Sequence, residues 1–269
     1  MKSFKGKKAY IIGGSSGIGL SVSTLLASEG TDVFIFARNA ARLDDALRKI
    51  KKMRIEENQR VYSAMLDATD MSQVNKTMGR AIAEFGAPDL LINCAGRALP
   101  DYFENISPEQ SEETIKINFF ATWNVIKALV PAMKKKGGHI VNISSMGGYL
   151  GIFGYTDYCA SKFAIMGFSE ALRSELVPYN IRVSVVCPPD TDTPGFQNEN
   201  ESKPEETRLI SGNIKPKNPE FVAQKLLKGA RKNQFIILPG FDVKLSYLIK
   251  RIFPSLMDYI INKSLLKKA

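Results

Sequence analysis

Short apolar runs, each followed by a stretch with helical spacing, recur along this 269-residue chain and restrict its fold more than any other feature. The first run, Ala9–Ile12, carries no charge and stops at Gly13, as a strand buried on both faces should. A helix is predicted from Gly17 to Glu29, then a strand over Val33–Ala37 and a helix over Arg42–Arg54. Val61–Leu66 and Met71–Phe85 repeat the pair, and Leu90–Cys94 resumes the sheet after the break at Gly86, Ala87 and Pro88. Helices are expected around Pro108–Ile117 and Ala121–Lys135, a fifth strand over His139–Ile143, and a helix running to about Leu176. Ile181–Val186 is the sixth strand; an irregular proline-rich stretch, a helix over Phe221–Arg231 and a seventh strand over Phe235–Leu238 follow.

Alternation of this kind implies an α/β fold with a parallel sheet covered by helices on both faces. The predicted architecture is a single-domain, Rossmann-like doubly wound sheet of about seven strands, whose ligands bind beyond the carboxyl ends of the strands. The domain is expected to span residues 1–240, with 190–217 as a substrate-loop region and 241–269 as a basic amphipathic tail.

Composition removes several functional classes. Three widely spaced cysteines (Cys94, Cys159 and Cys187) suit a reducing cytoplasm better than a disulfide framework. His139 is the only histidine, which argues against a metal cluster and for a structural role at the start of its strand. The formal charge of +10 is spread over Lys49–Lys52, Lys134–Lys136 and the tail without interleaved aromatic residues, so nucleic acid is not expected as a partner. The N-terminus is basic (Lys2, Lys5, Lys7, Lys8), but its apolar run is too short for a signal peptide or a spanning helix.

The loop after the first strand reads Gly13-Gly14-Ser15-Ser16-Gly17-Ile18-Gly19. Glycines there allow a tight turn and close approach of backbone to a pyrophosphate, which the helix N-terminus then attracts. The second strand ends Phe36-Ala37-Arg38-Asn39 with no acid before Asp44, which favours the 2′-phosphate of NADP(H) over the free ribose hydroxyl of NAD. Arg38 is the expected phosphate ligand and Arg42 a helper. Asp67 can accept from an adenine amino group or serve as a turn residue. The small residues of Asn93-Cys94-Ala95-Gly96 let backbone lie against the cofactor, with Asn93 tying neighbouring strands.

Tyr158 and Lys162 stand four residues apart on a predicted helix, so their side chains share a face. A free phenol has a pKa of about 10, and a nearby ammonium favours its ionised form. Lys162 is therefore expected to bring Tyr158 closer to working pH as a general acid, with Ser145 holding a substrate oxygen. A chance Tyr-x-x-x-Lys on an amphipathic helix is the alternative. Asn118 suits an interrupted helix, where it can hold a water that feeds protons to Lys162 or simply mark a helix junction.

Taken together, these residues resemble the short-chain dehydrogenase/reductase family from about Lys7 to Pro239. The resemblance places the glycine motif on Gly13, Gly17 and Gly19, an Asn-Asn-Ala-Gly segment on Asn93–Gly96, and a catalytic tetrad on Asn118, Ser145, Tyr158 and Lys162. It departs from the family at Ile12, usually threonine, and at Cys94, usually asparagine. It also implies that Ser15, Ser16, Ile18, Ala95, Tyr158, Lys162, Pro188, Thr191 and Thr193 contact cofactor, and that the chain is a dimer or tetramer built around Trp123 and Phe163. The stretch from Pro188 to Ser211 looks like that of one group in the family, the 3-ketodihydrosphingosine reductases. That likeness implies NADPH-dependent reduction of a sphingoid ketone, with Asp190, Asp192, Glu199 or Glu201 open as partners for its amine. A reductase of steroid, retinoid or 3-oxoacyl ketones, or a non-catalytic lipid-binding protein, are the competing readings.

After Phe241, apolar residues recur at helical spacing (Leu245, Leu248, Ile249, Ile252, Phe253, Leu256, Met257, Ile260, Ile261). Lys244, Lys250, Arg251, Lys263, Lys267 and Lys268 interrupt them, and Pro254 is expected to kink or divide the helix. The pattern suits a segment lying in a membrane surface, giving a cytoplasmic protein with peripheral contact, or a helix that packs on protein.

Overall fold

Seven parallel strands in the order β3-β2-β1-β4-β5-β6-β7 form the sheet of the computed structural model, which describes residues 3–211 and 215–266. Lys2, Lys267 and Lys268, counted above for their charge, lie outside the described residues. The strands are β1 (Lys8–Ile12), β2 (Asp32–Ala37), β3 (Val61–Met65), β4 (Leu90–Asn93), β5 (Gly138–Ile143), β6 (Ile181–Val186) and β7 (Ile236–Ile237). Along β1 the side chains alternate between two cores. Ala9 and Ile11 face the layer that holds Val22, Leu26, Ala223 and Leu226, while Tyr10 and Ile12 face Val74, Met78, Val125 and Leu129. Burial on both faces is why these strands read as unbroken apolar runs.

The first face carries α1 (Gly17–Ala27), α2 (Ala40–Lys52) and α9 (Pro219–Arg231). The other carries α3 (Met71–Phe85), α5 (Ala121–Met133) and α6 (Thr156–Leu176). Because β1 lies between β2 and β4, the chain runs in opposite directions across the sheet from that point. The loops after β1 and β4 therefore part, opening a crevice at the carboxyl edge.

Three expectations are refined. The helix predicted around Pro108–Ile117 ends as α4 (Pro108–Ile115) and passes through a π-helical turn, Lys116–Phe120, into α5. The stretch after β6 is not irregular: it forms α7 (Pro194–Ser202) and α8 (Glu205–Ser211). Thr193 caps α7 by accepting from the Phe196 N–H, and Pro194 at the first helical position needs no donor, so prolines begin this helix rather than break it. The tail is two helices, α10 (Phe241–Ile252) and α11 (Pro254–Leu266), divided at Pro254. One face of α10 packs on the domain: Val243 is buried, Ser246 bonds the Tyr149 hydroxyl at 2.8 Å, and Tyr247 meets the Tyr149 ring. Its opposite face exposes Phe241, Leu245, Leu248 and Ile252. No helix among the described residues is long and apolar enough to cross a membrane.

His139 lies at the amino end of β5, at the opposite end of the strand from the crevice. Its Nε2 bonds Ser184 Oγ at 2.8 Å, and since Ser184 donates to the Gln234 carbonyl, the imidazole is the donor. Burial drops the His139 pKa to about 4. An unfolded histidine takes a proton near pH 6.5, so only the unfolded chain gains this proton between about pH 6.5 and 4. Stability is therefore full above that window and falls through it as pH falls, by up to about 3 kcal/mol from this group. Urea unfolding followed from pH 7 to 4 is expected to show a steeper loss for the wild type than for His139→Gln; parallel curves would contradict a buried neutral imidazole.

Candidate active site

The glycines after β1 are required by contact as well as conformation. Gly13 has φ +77°, and a Cβ there would stand 2.8 Å from the Ala95 backbone N; a Cβ on Gly19 would stand 2.2 Å from the Gly13 carbonyl oxygen. The loop is thus pressed between β4's exit and its own helix. Ser16 caps α1 in extended conformation, but its side chain accepts no hydrogen bond from the first turn. The first turn of α1 borders a cleft lined by Gly13, Ser15, Ser16, Gly17, Ile18 and Gly19. Arg38, Arg42, Asp67, Ala95, Gly96 and Thr193 line the same cleft. A helix N-terminus without a side-chain cap, glycines with no space for a Cβ and two guanidinium groups past β2 suit a dinucleotide that bears an extra phosphate.

Other predicted cofactor contacts are placed differently. Asp67 Oδ1 accepts from the Thr69 N–H and hydroxyl, so it is a turn residue that also lines the cleft. Asn93 is buried and donates to Asn142 Oδ1 at 2.8 Å, tying β4 to β5. The Pro188 carbonyl accepts from the Met146 N–H, and the Thr191 hydroxyl donates to the Pro189 carbonyl; neither residue lines the cleft. Thr193 does, with its methyl group against Gly17.

The four residues of the expected tetrad meet at the inner end of the cleft, beyond Gly96 and Ile143. Lys162 is 4% exposed, and its Nζ donates to the Ile143 carbonyl at 3.2 Å. The same Nζ stands 5.6 Å from the centroid of the Tyr158 ring. Asn118 is 1% exposed in the π-helical turn, where its side chain accepts from the Arg97 N–H and donates to the Arg97 carbonyl and Ser161 Oγ. A Cβ on Gly96 would stand 3.1 Å from Asn118 Oδ1 and 3.3 Å from Lys162 Nζ, so these polar atoms converge on one small space. Ser145 follows β5, accepts from the Gly147 N–H and interacts with the Tyr158 hydroxyl.

The electrostatics reverse one expectation. Lys162 does not bring the Tyr158 phenol down; burial pushes it above its ordinary value, against a pull from Ser145, and Glu199 and Asp190 push it further. The ammonium rests over the ring and donates to the Ile143 carbonyl. Burial lowers Lys162 itself to about 8, while burial raises the neighbouring thiols Cys94 and Cys187 to about 12, so they remain protonated.

Residues 7–204 match the profile of the short chain dehydrogenase family. The chain belongs to that family. It is 40% identical to the 3-ketodihydrosphingosine reductase of Bos taurus over 239 residues, 88% of this chain and 72% of that protein. It is 39% identical to the 3-ketodihydrosphingosine reductase of Dictyostelium discoideum over 262 residues, 90% of this chain and 77% of that protein. Among solved structures, a short chain dehydrogenase/reductase from Burkholderia phymatum in complex with NAD has the same fold, with a TM-score of 0.82 at 22% identity over 95% of this chain and 96% of that one.

Sequence reasoning did not find Tyr155, Ser161 or Lys203 in this short-chain dehydrogenase. Tyr155 lies three residues before Tyr158 and Lys203 four after Glu199, spacings that put each pair on one helical face; their meeting across α6 and α7 had no local signal.

Asn118 bridges the Arg97 backbone and α6 by three hydrogen bonds, the one to Ser161 buried and the two to Arg97 partly so. Asn118→Ala is expected to reduce unfolding free energy by about 2–4 kcal/mol, read as a lower urea midpoint with an unchanged slope. A loss under about 0.5 kcal/mol, the range of ordinary surface substitutions, would contradict this arrangement.

Proposed function

We propose that this chain reduces the 3-keto group of 3-oxosphinganine to sphinganine with NADPH. The observation that carries the reading is the convergence of Asn118, Ser145, Tyr158 and Lys162 beside a cleft shaped for a dinucleotide. The relatives named 3-ketodihydrosphingosine reductase supply the substrate class. Arg38 and Arg42 past β2, with no carboxylate before Asp44, support NADPH over NADH.

In this reading Ser145 hydrogen-bonds the carbonyl oxygen as negative charge develops there, and Tyr158 hands its proton to that oxygen. NADPH, when bound, would supply the hydride. Lys162 keeps positive charge close to the phenol ring and can reach a ribose hydroxyl. Asn118 positions Lys162 by holding the π-helical turn against α6. Partial burial keeps Tyr158 protonated until it is needed, which suits a donor in the reductive direction.

Two further features belong to the proposal. Phe120, Trp123 and Phe163 are exposed on α5, α6 and the turn before α5, an apolar surface suited to assembly with a second copy. The exposed stripe Phe241, Leu245, Leu248 and Ile252, flanked by Lys244 and Arg251, suits peripheral contact with an anionic membrane from which a long-chain ketone is drawn.

Purified protein given NADPH or NADH with 3-oxosphinganine, a steroid ketone and a 3-oxoacyl substrate is expected to turn over the sphingoid ketone fastest, and with NADPH. Tyr158→Phe is expected to lower kcat by at least about 100-fold while nucleotide binding, followed by fluorescence, persists. Rapid steroid reduction with no turnover of 3-oxosphinganine would overturn the substrate; full activity of Tyr158→Phe would overturn the chemistry.

A further inference from the structure

Helix α7 brings charge to the aromatic pair Tyr155 and Tyr158. Glu199 is partly buried and accepts a hydrogen bond from the Tyr155 hydroxyl. Lys203, whose side chain is 5% exposed, places its Nζ 3.5 Å from Glu199 Oε1 and 4.6 Å from the Phe196 ring centroid. The Tyr155 and Tyr158 rings meet edge to face with centroids 5.7 Å apart, so Glu199 stands one ring away from the proton donor. Asp190, exposed at the end of the β6 loop, acts on the same groups: both carboxylates bear electrostatically on Tyr158, and Lys203 on both carboxylates.

One internal ammonium thus acts on both carboxylates near Tyr158, and its ion pair is with Glu199. The other acids of the segment are placed differently. Asp192 is exposed and accepts from Gln197, and Glu201 is exposed on α7.

We infer that Glu199, held by Tyr155 and Lys203, receives the ammonium group of the substrate and so selects an amino ketone over neutral lipid ketones. The inference rests on the reading of Tyr158 as proton donor to the 3-keto group. In that substrate the amine is carried by the carbon next to the carbonyl. A carboxylate that holds it must therefore lie within a side chain's reach of the group that meets the carbonyl oxygen, and Glu199 does. Lys203 shows that the position accommodates an ammonium, and a charge-assisted hydrogen bond there is among the stronger polar contacts. A neutral ketone brings no such group, and the carboxylate then keeps only Tyr155 and Lys203.

The test compares wild type, Glu199→Gln, Glu199→Asp and Lys203→Met in steady state with NADPH, using 3-oxosphinganine and its deamino analogue of the same carbon skeleton. NADPH affinity, measured by fluorescence, reports an intact fold. Glu199→Gln is expected to lower the kcat/KM preference for the amino ketone by about tenfold or more, chiefly through KM, and Glu199→Asp to recover part of it. Lys203→Met, which removes the competing ammonium, is expected to raise the preference, and it carries the test if Glu199→Gln does not fold. Wild-type preference in Glu199→Gln and Lys203→Met, or equal losses on both ketones, would overturn the inference while leaving the reductase reading intact. A wild type that reduces neither ketone would overturn both.

Discussion

Burial of a single ammonium group organises the inner end of this site. Lys162 is almost wholly removed from water, and among the described residues no carboxylate pairs with it; its Nζ rests on the Ile143 carbonyl. Leaving a charge so placed is costly, and the group responds by a lowered pKa. The neighbours are those such a charge needs: a strand-end carbonyl, the face of an aromatic ring and a glycine whose missing side chain leaves room for polar atoms. The π-helical turn that carries Asn118 makes sense in the same light. It turns one side chain onto the Arg97 backbone and α6 and sets the distance between the β4 exit and Lys162.

Much of the fold could be read from local pattern. Strands buried on both faces must be apolar throughout, so Ala9–Ile12, Leu90–Cys94 and Ile181–Val186 announced themselves, and Gly86 and Gly13 marked where they stop or start. The pairing of Tyr158 with Lys162 was legible because helical spacing alone puts them on one face. Asn118 was legible as an interruption because its side chain competes with helical hydrogen bonds.

What stayed hidden depends on contacts between distant segments. The direction of the Tyr158 shift is one case. Spacing reports that an ammonium is near, but desolvation and the approach of Asp190 and Glu199 depend on the loop after β6 and on α7, some thirty to forty residues away. The order of the stretch after β6 is another, since its prolines read as breakers until Thr193 is seen capping α7. The tail shows a third limit. Its apolar residues fall into two stripes, one against Tyr149 and Met257's surroundings and one outward, and periodicity alone does not say which stripe is covered. α11 also packs against α8, which joins the tail to the stretch after β6.

The most direct measurement is the titration of the Lys162 ammonium by NMR of reductively methylated protein with no nucleotide added, its signal assigned by loss in Lys162→Arg. Deprotonation near pH 8 is predicted, consistent with an amine buried beside the Tyr158 ring. A midpoint near the ordinary lysine value of about 10.4 would mean that the amine is hydrated, and the site as described here would not exist.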